Sequence, residues 1–241
     1  MQQFDTTAPL SALLNVPAGR IRFVATDESD KTNEANEANE ANEANETTTT
    51  VEVLPADASK SRDVKAAEAV QVTYADGVLR IEAPEDSVRM LGNPGSVEVT
   101  VHLPAGSHLR AKTASAEFRA VGRLGEVEYD SAHGSVKLDE TAGGRITLQA
   151  GDIAVGRLGG PAEIRTQKGN LMIAEAVRGT VRLSTDAGDV TVGAARGVSA
   201  TLDAGTSYGR IHNSLANTEG SAAALTIHAT TSYGDITARA N

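Results

Sequence analysis

Cysteine and tryptophan are absent from the 241 residues, and Phe and Tyr number only three and four. Without thiols there are no disulfides, no thiolate nucleophile and no zinc–thiolate site. The lack of cysteine also fits a reducing compartment. Aromatics at 3% leave little with which to line a pocket or stack nucleic-acid bases. No run of about 18 apolar residues occurs, so no direct membrane insertion is expected. The N-terminus, MQQFDTTAPLSALLNVPAG, lacks a positive n-region, and its apolar residues Leu10, Leu13, Leu14 and Val16 are interrupted by Ser and Asn. It reads as the start of a strand rather than as a signal peptide. With Met1 in place, these features predict a soluble cytoplasmic protein.

The formal charge of -10 is unevenly spread. Residues 27–46 hold Asp27, Glu28, Asp30, Glu34, Glu37, Glu40, Glu43 and Glu46 against Lys31 alone, so the remainder is close to neutral. Nowhere do Lys/Arg clusters combine with aromatics, and no nucleic-acid partner is expected. The apolar mass is Val, Ile, Leu and Ala, accompanied by 23 Gly. That mixture suits many short stacked strands better than long helices.

Three zones follow. Residues 1–107 hold irregularly spaced strand candidates, among them Ile21–Ala25, Val51–Leu54, Val70–Tyr74, Val78–Glu82 and Val97–Leu103. Ala75-Asp76-Gly77 reads as a hairpin turn. Residues 57–69 have room for one short helix capped by Ser61 or Asp63. An insert at 27–50 holds a tandem of Asn-Glu-Ala triplets from Asn33 to Glu46, followed by Thr47 to Thr50. A three-residue period matches no helix, its Glu residues repel one another, and it has no apolar face, so it reads as a disordered acidic loop. An acidic tether for a basic partner or a cation is the alternative. The turn phrase Pro17-Ala18-Gly19 recurs as Pro104-Ala105-Gly106.

The third zone, 108–241, is a repeat array. Gly134, Gly151, Gly169, Gly188, Gly209 and Gly234 each open an alternating aliphatic segment, as in Gly151-Asp152-Ile153-Ala154-Val155 and Gly188-Asp189-Val190-Thr191-Val192. A second column, Gly125, Gly143, Gly160, Gly179 and Gly197, keeps the same period of about 18 residues and also precedes alternating strands. Two turns and two strands per fixed period define a solenoid. The expected fold is all-β: a single-stranded parallel β-helix (β-solenoid) of 18-residue coils, continuous with the irregular N-terminal strands. Each coil is expected to lie on the one before it in sequence, about 4.8 Å away. The longer final steps are ascribed to a polar loop near 213–221.

The Gly-Asp-Ile-x-Val phrases, and Pro104 to Ser115 leading into Gly122-Arg123-Leu124-Gly125, resemble the bacterial "Toastrack" or adhesin-like β-strand-repeat family. Pro55-Ala56-Asp57 to Glu68 resembles its actinobacterial branch. The resemblance covers nearly the whole chain except the triplet insert. It implies a β-solenoid of unknown function, and some relatives are joined to membrane segments and linked to envelope-stress sensing.

Several constellations bear on chemistry. Asp152, Asp189 and Asp235, with Asn170 and Ser135, share one position after the turn glycine. Stacked carboxylates there could bind Ca²⁺, but the nonapeptide spacing is missing, and Asp or Asn after a turn Gly usually caps backbone N–H groups. Thr206-Ser207-Tyr208-Gly209 recurs as Thr231-Ser232-Tyr233-Gly234. Tyr208, Tyr233, Ser207 and Ser232 are therefore the candidate interaction surface, against the simpler reading that the rings pack on each other and cap the rod. The five His (102, 108, 133, 212 and 228) have no metal-ligand spacing. There is no Gly-x-Ser-x-Gly elbow, phosphate loop or dinucleotide fingerprint. The carboxylate pairs Asp139/Glu140 and Glu126/Glu128 lack the aromatic subsites of a glycosidase. No catalytic residue, metal site or cofactor is assigned. The sequence points to a non-enzymatic scaffold with an unknown protein partner. The alternatives are a self-assembling structural solenoid, whose end strands pair into filaments, and a carbohydrate-binding solenoid.

Overall fold

The computed structural model describes residues 1–6, 9–26, 47–84 and 95–241. Residues 27–46, which include the triplets read as a disordered loop, lie outside the described residues. In chain order the elements are β1 Gln2–Thr6, β2 Ser11–Asn15, β3 Ala18–Thr26, β4 Thr47–Pro55, α1 Ser61–Ala69, β5 Gln71–Ala75, β6 Val78–Glu82, β7 Val97–Pro104, β8 His108–Lys112, β9 Ser115–His133, β10 Val136–Ala150, β11 Ile153–Leu158, β12 Ala162–Lys168, β13 Leu171–Ala176, β14 Gly179–Ala187, β15 Val190–Ala194, β16 Ala200–Tyr208, β17 Ile211–Ser214, β18 Leu225–Tyr233 and β19 Ile236–Ala240. Thr47–Thr50, read from sequence as part of the insert, belong to β4 and pair with β1.

The strands stack in two facing ladders that form a β-solenoid. One ladder runs β6, β2, β8, the second half of β9, the second half of β10, β12, β14, β18, β16. The other runs β7, β3, the first halves of β9 and β10, β11, β13, β15, β19, β17. All these pairings are parallel, with the register shifting only between Leu138 and Glu140 in the β9–β10 pairing and between Ile173 and Ala176 in the β13–β15 pairing. Phe118, Val136, Ile153, Leu171, Val190 and Ile236 form one buried inner column, and Ile146, Ile164, Leu183 and Ala229 form another. Alternation within each strand sends these side chains inward and the charged residues out.

Coil order departs from chain order at both ends. The last coil in sequence, β18–β19, lies between β14–β15 and β16–β17. Near the other end, β2–β3 lies between β6–β7 and β8–β9. The long final Gly spacing therefore reflects an inserted coil, not merely a loop. Burial gives a physical reason. Inward positions of β18–β19 are Leu225, Ile227, Ala229, Ile236 and Ala238, all fully buried. Those of β16–β17 include half-buried Leu202 and Ala204, with Ile211 and Asn213 exposed. Placing the more apolar coil inside removes more apolar surface from water.

The two rod ends differ. At the N-terminal end, β4 pairs antiparallel with β7 and β1 with β4, while β5 pairs antiparallel with β6. The β5–β6 turn has positive φ at Asp76 and Gly77, as a two-residue hairpin of this hand requires. Helix α1 rests on β4 and β7. Its N-cap is Lys60, not Ser61 or Asp63. Asp63 is buried instead and accepts a hydrogen bond from the Ser96 N–H at 3.0 Å. At the other end β16–β17 is the last rung.

The interior holds more aromatic bulk than the small-residue composition suggests. Phe23, Phe118 and Tyr129 pack in series with centroids 5.8 and 4.7 Å apart. The Tyr129 hydroxyl is satisfied by Thr113 at 3.0 Å, and burial pushes its phenol above the ordinary value. The two Pro-Ala-Gly phrases are not equivalent: Pro17 leads from the first ladder to the second, and Pro104 leads back.

Candidate functional site

Tyr208 and Tyr233 are in register on β16 and β18, where the duplicated sequence brings them to adjacent rungs. Their rings stack with centroids 5.0 Å apart and planes 3° apart. The stack does not hide them: the residues are 68% and 61% exposed. The next positions down the column are Ala187, Lys168, Ala150 and His133. Tyr233 thus has only an alanine as its second neighbour, and Tyr208 stands on the last rung. Ser207 is exposed and Ser232 half-buried beside them. Ile211, 46% exposed, adds apolar surface to the same terminal coil.

The column of Asp and Asn is a hydrogen-bond ladder. Asp152 Oδ1 accepts from the Asn170 N–H at 2.7 Å, Asn170 Oδ1 from Asp189 at 2.9 Å, and Asp189 Oδ1 from Asp235 at 2.8 Å. Asp235 Oδ1 in turn accepts from the Arg210 N–H at 2.8 Å, and its Oδ2 from the Arg210 guanidinium at 2.9 Å. Those bonds hold the Asp235 carboxyl below its ordinary value. Each side chain satisfies an N–H of the next coil, which is the capping role expected from sequence. The ladder follows the spatial order, with 235 before 210. Arg210, which interrupts the pattern in sequence, occupies the last rung, where no further coil supplies an N–H.

A parallel ladder escaped the sequence reading. The hydroxyls of Thr166, Thr185, Thr231 and Thr206 donate to the carbonyls of Gly151, Gly169, Gly188 and Gly234 at 3.0–3.2 Å. A Thr three residues before the turn glycine is present in the sequence at Thr166, Thr185, Thr206 and Thr231. It was unremarkable there because Thr is a common strand residue.

The outward charges pair between coils. Arg110 meets Glu128 at 2.6 Å, Arg145 meets Glu163 at 3.0 Å, Arg157 meets Glu175 at 2.6 Å, and Arg119 meets Asp139 at 2.7 Å. Asp139 and Glu140 thus face different arginines, and Glu128 of the other carboxylate pair meets Arg110. Glu140 lies 3.9 Å from Arg157. His108 accepts a hydrogen bond from the Glu126 N–H, and His228 meets Asp203 at 3.2 Å. The five His are not brought together, and among the described residues no three His, Asp or Glu side chains cluster as a metal site. No described helix is long and apolar enough to cross a membrane.

This architecture has known counterparts. A candidate adhesin from Bacteroides fragilis shares 14% identity over 98% of this chain and 96% of its own, with a TM-score of 0.50. A candidate adhesin from Parabacteroides distasonis shares 13% identity over 98% and 95%, also with a TM-score of 0.50. At such identities the likeness speaks for the fold alone. No functionally curated protein matches the chain. Residues 40–241 match the family described as Toastrack DUF4097. The chain belongs to the Toastrack family, with the β-solenoid fold read from its glycine columns.

Proposed function

We propose that this protein is a non-enzymatic scaffold whose terminal coils dock a protein partner through Tyr208 and Tyr233. The observation that carries this reading is the exposed tyrosine stack, the two residues being 68% and 61% exposed. Large aromatics that are rigid and half in water supply contact area at low entropic cost and dominate interface energetics. In the rows of Arg and Glu, the other surface that could meet a partner, Arg110, Arg119, Arg145 and Arg157 already pair with carboxylates. The Asp and Thr columns hold the coils together, which leaves their polar groups in structural rather than catalytic use.

The test is a pull-down from native lysate with the wild-type chain and a Tyr208→Ser/Tyr233→Ser variant, analysing soluble and membrane fractions separately. A stoichiometric protein held by the wild type and lost from the variant supports docking at the tyrosines. A protein held equally by both, or recovery of the chain alone, overturns it.

A carbohydrate ligand is the second reading. A depression of about 440 Å³ lined in part by Gln149, Gln167 and Asp186 lies on the ladder that leads to the tyrosines. Binding on a glycan array that is lost in the same double variant would favour it. Growth into filaments is less favoured, because antiparallel strands and α1 close one end and Arg210 stands on the last rung of the other.

A further inference from the structure

We propose that Tyr208 and Tyr233 are an oxidative modification site, coupling into a dityrosine that staples the terminal coil to its neighbour. Three observations converge on this. The rings are coplanar within 3° at 5.0 Å, so each phenol has its partner next to it before any chemistry begins. Both are more than 60% exposed, so an oxidant reaches them and the rings are free to turn edge to edge. They sit on strands that are neighbours in space but 25 positions apart in sequence, so a bond between them closes the coil order covalently.

The chemistry balances as a two-electron oxidation. Each phenol loses one electron and one proton to become a phenoxyl radical. The two radicals couple through the ring carbons ortho to oxygen, and a proton then moves from each of these carbons to its oxygen. The product is a biphenol lighter by two hydrogens. The oxidant is a haem peroxidase with hydrogen peroxide, and the peroxide takes up the two electrons and two protons as water. The sequence leaves few competitors. It has neither Cys nor Trp. Tyr129 is buried with its hydroxyl bonded to Thr113, and Tyr74 is half-buried against Phe4 at the other end of the rod. Met1, 87% exposed, and Met172, 49% exposed, are the alternative targets among the described residues and would give sulfoxides instead.

The staple would act where the rod is weakest. The terminal coil has a neighbour on one side only, and its inward residues are incompletely covered. A covalent link there restrains opening much as a disulfide restrains a loop.

The experiment treats the purified full chain, at dilution, with peroxidase and peroxide. Trypsin digestion and mass spectrometry follow. The expected product joins peptide 197–210 to peptide 211–239 within a monomer, lighter by two hydrogens, with the blue emission of dityrosine. Tyr208→Phe and Tyr233→Phe keep the stack but cannot form the second radical, and each should lose the product entirely. Circular dichroism of these variants checks that the fold is retained. Hydrogen exchange across 200–214 should slow in the cross-linked monomer relative to the untreated chain. Coupling only between molecules, sulfoxide at Met172 with both tyrosines intact, or an equal yield in the Phe variants would overturn the assignment. None of these readouts depends on a docking partner.

Discussion

Ile227 and Leu202 occupy the same inner column one rung apart, and the coil order decides which matters more. Ile227 is fully buried between Val181 on one side and Leu202 on the other. Ile227→Ala removes three buried carbons, a transfer loss of about 2.5 kcal/mol at ~0.8 kcal/mol per methylene. The rod cannot collapse around one missing side chain without breaking register, so a cavity contribution raises the cost to about 3–4 kcal/mol. Leu202, on the last rung, is half-buried. The same truncation there should cost roughly half the transfer loss and leave no closed cavity, about 1–1.5 kcal/mol. If the coils stacked in chain order, residue 202 would be interior and residue 227 terminal, and the ranking would invert. Urea unfolding followed by circular dichroism reads both shifts, provided the slope is unchanged between variants. A Leu202→Ala cost equal to or above that of Ile227→Ala would refute the transposed order.

Three further outcomes are expected. Thr185→Val keeps shape but removes the hydroxyl that the Gly169 carbonyl accepts from, and should cost about 1–2 kcal/mol in the same urea assay. Gly188→Ala would drive a Cβ into the Gly169 carbonyl from a backbone at φ +152, and should cost more than about 3 kcal/mol or abolish soluble expression. Asp57, held at about 2 by hydrogen bonds from Ser59 and by Lys60, is a lowered carboxyl. Its contribution to the start of α1 is present above the unfolded value near 3.8 and is lost as pH falls through about 2. Protection factors at residues 59–64, corrected for the intrinsic exchange rate, should therefore fall as pH drops across that window in the wild type and not in Asp57→Asn.

The two glycine columns made the coil legible from sequence, because turns and inward aliphatics recur together at one period. The Asp column was legible for the same reason, and its capping role followed from ordinary turn chemistry. Coil order was not. A repeat period says which residues are equivalent, not which equivalent coils touch. The hint lay in composition: Leu225, Ile227, Ala229, Ile236 and Ala238 make a fully apolar coil, whereas Asn213 and Arg210 mark a coil fit for an end. Tyr208 and Tyr233 were legible as a column, but their exposure was not. It depends on Ala187 being the next rung down and on no coil lying beyond Tyr208. The Lys60 cap and buried Asp63 were missed because Ser96, the partner of Asp63, is distant in sequence.

The central claim is that β18–β19 is inserted between β14–β15 and β16–β17. The chain has no cysteine, so engineered pairs report contacts on a silent background. Ser184 and Thr230 are in register on neighbouring strands, with hydroxyl oxygens 3.3 Å apart, whereas Gly205 lies one rung further on. Under mild oxidation Ser184→Cys/Thr230→Cys should close a disulfide rapidly, since neighbouring in-register strands bring the two Cα atoms within bonding range. Ser184→Cys/Gly205→Cys should stay reduced. Rapid closure of the 184–205 pair, with 184–230 unreactive, would contradict the inserted coil and restore stacking in chain order.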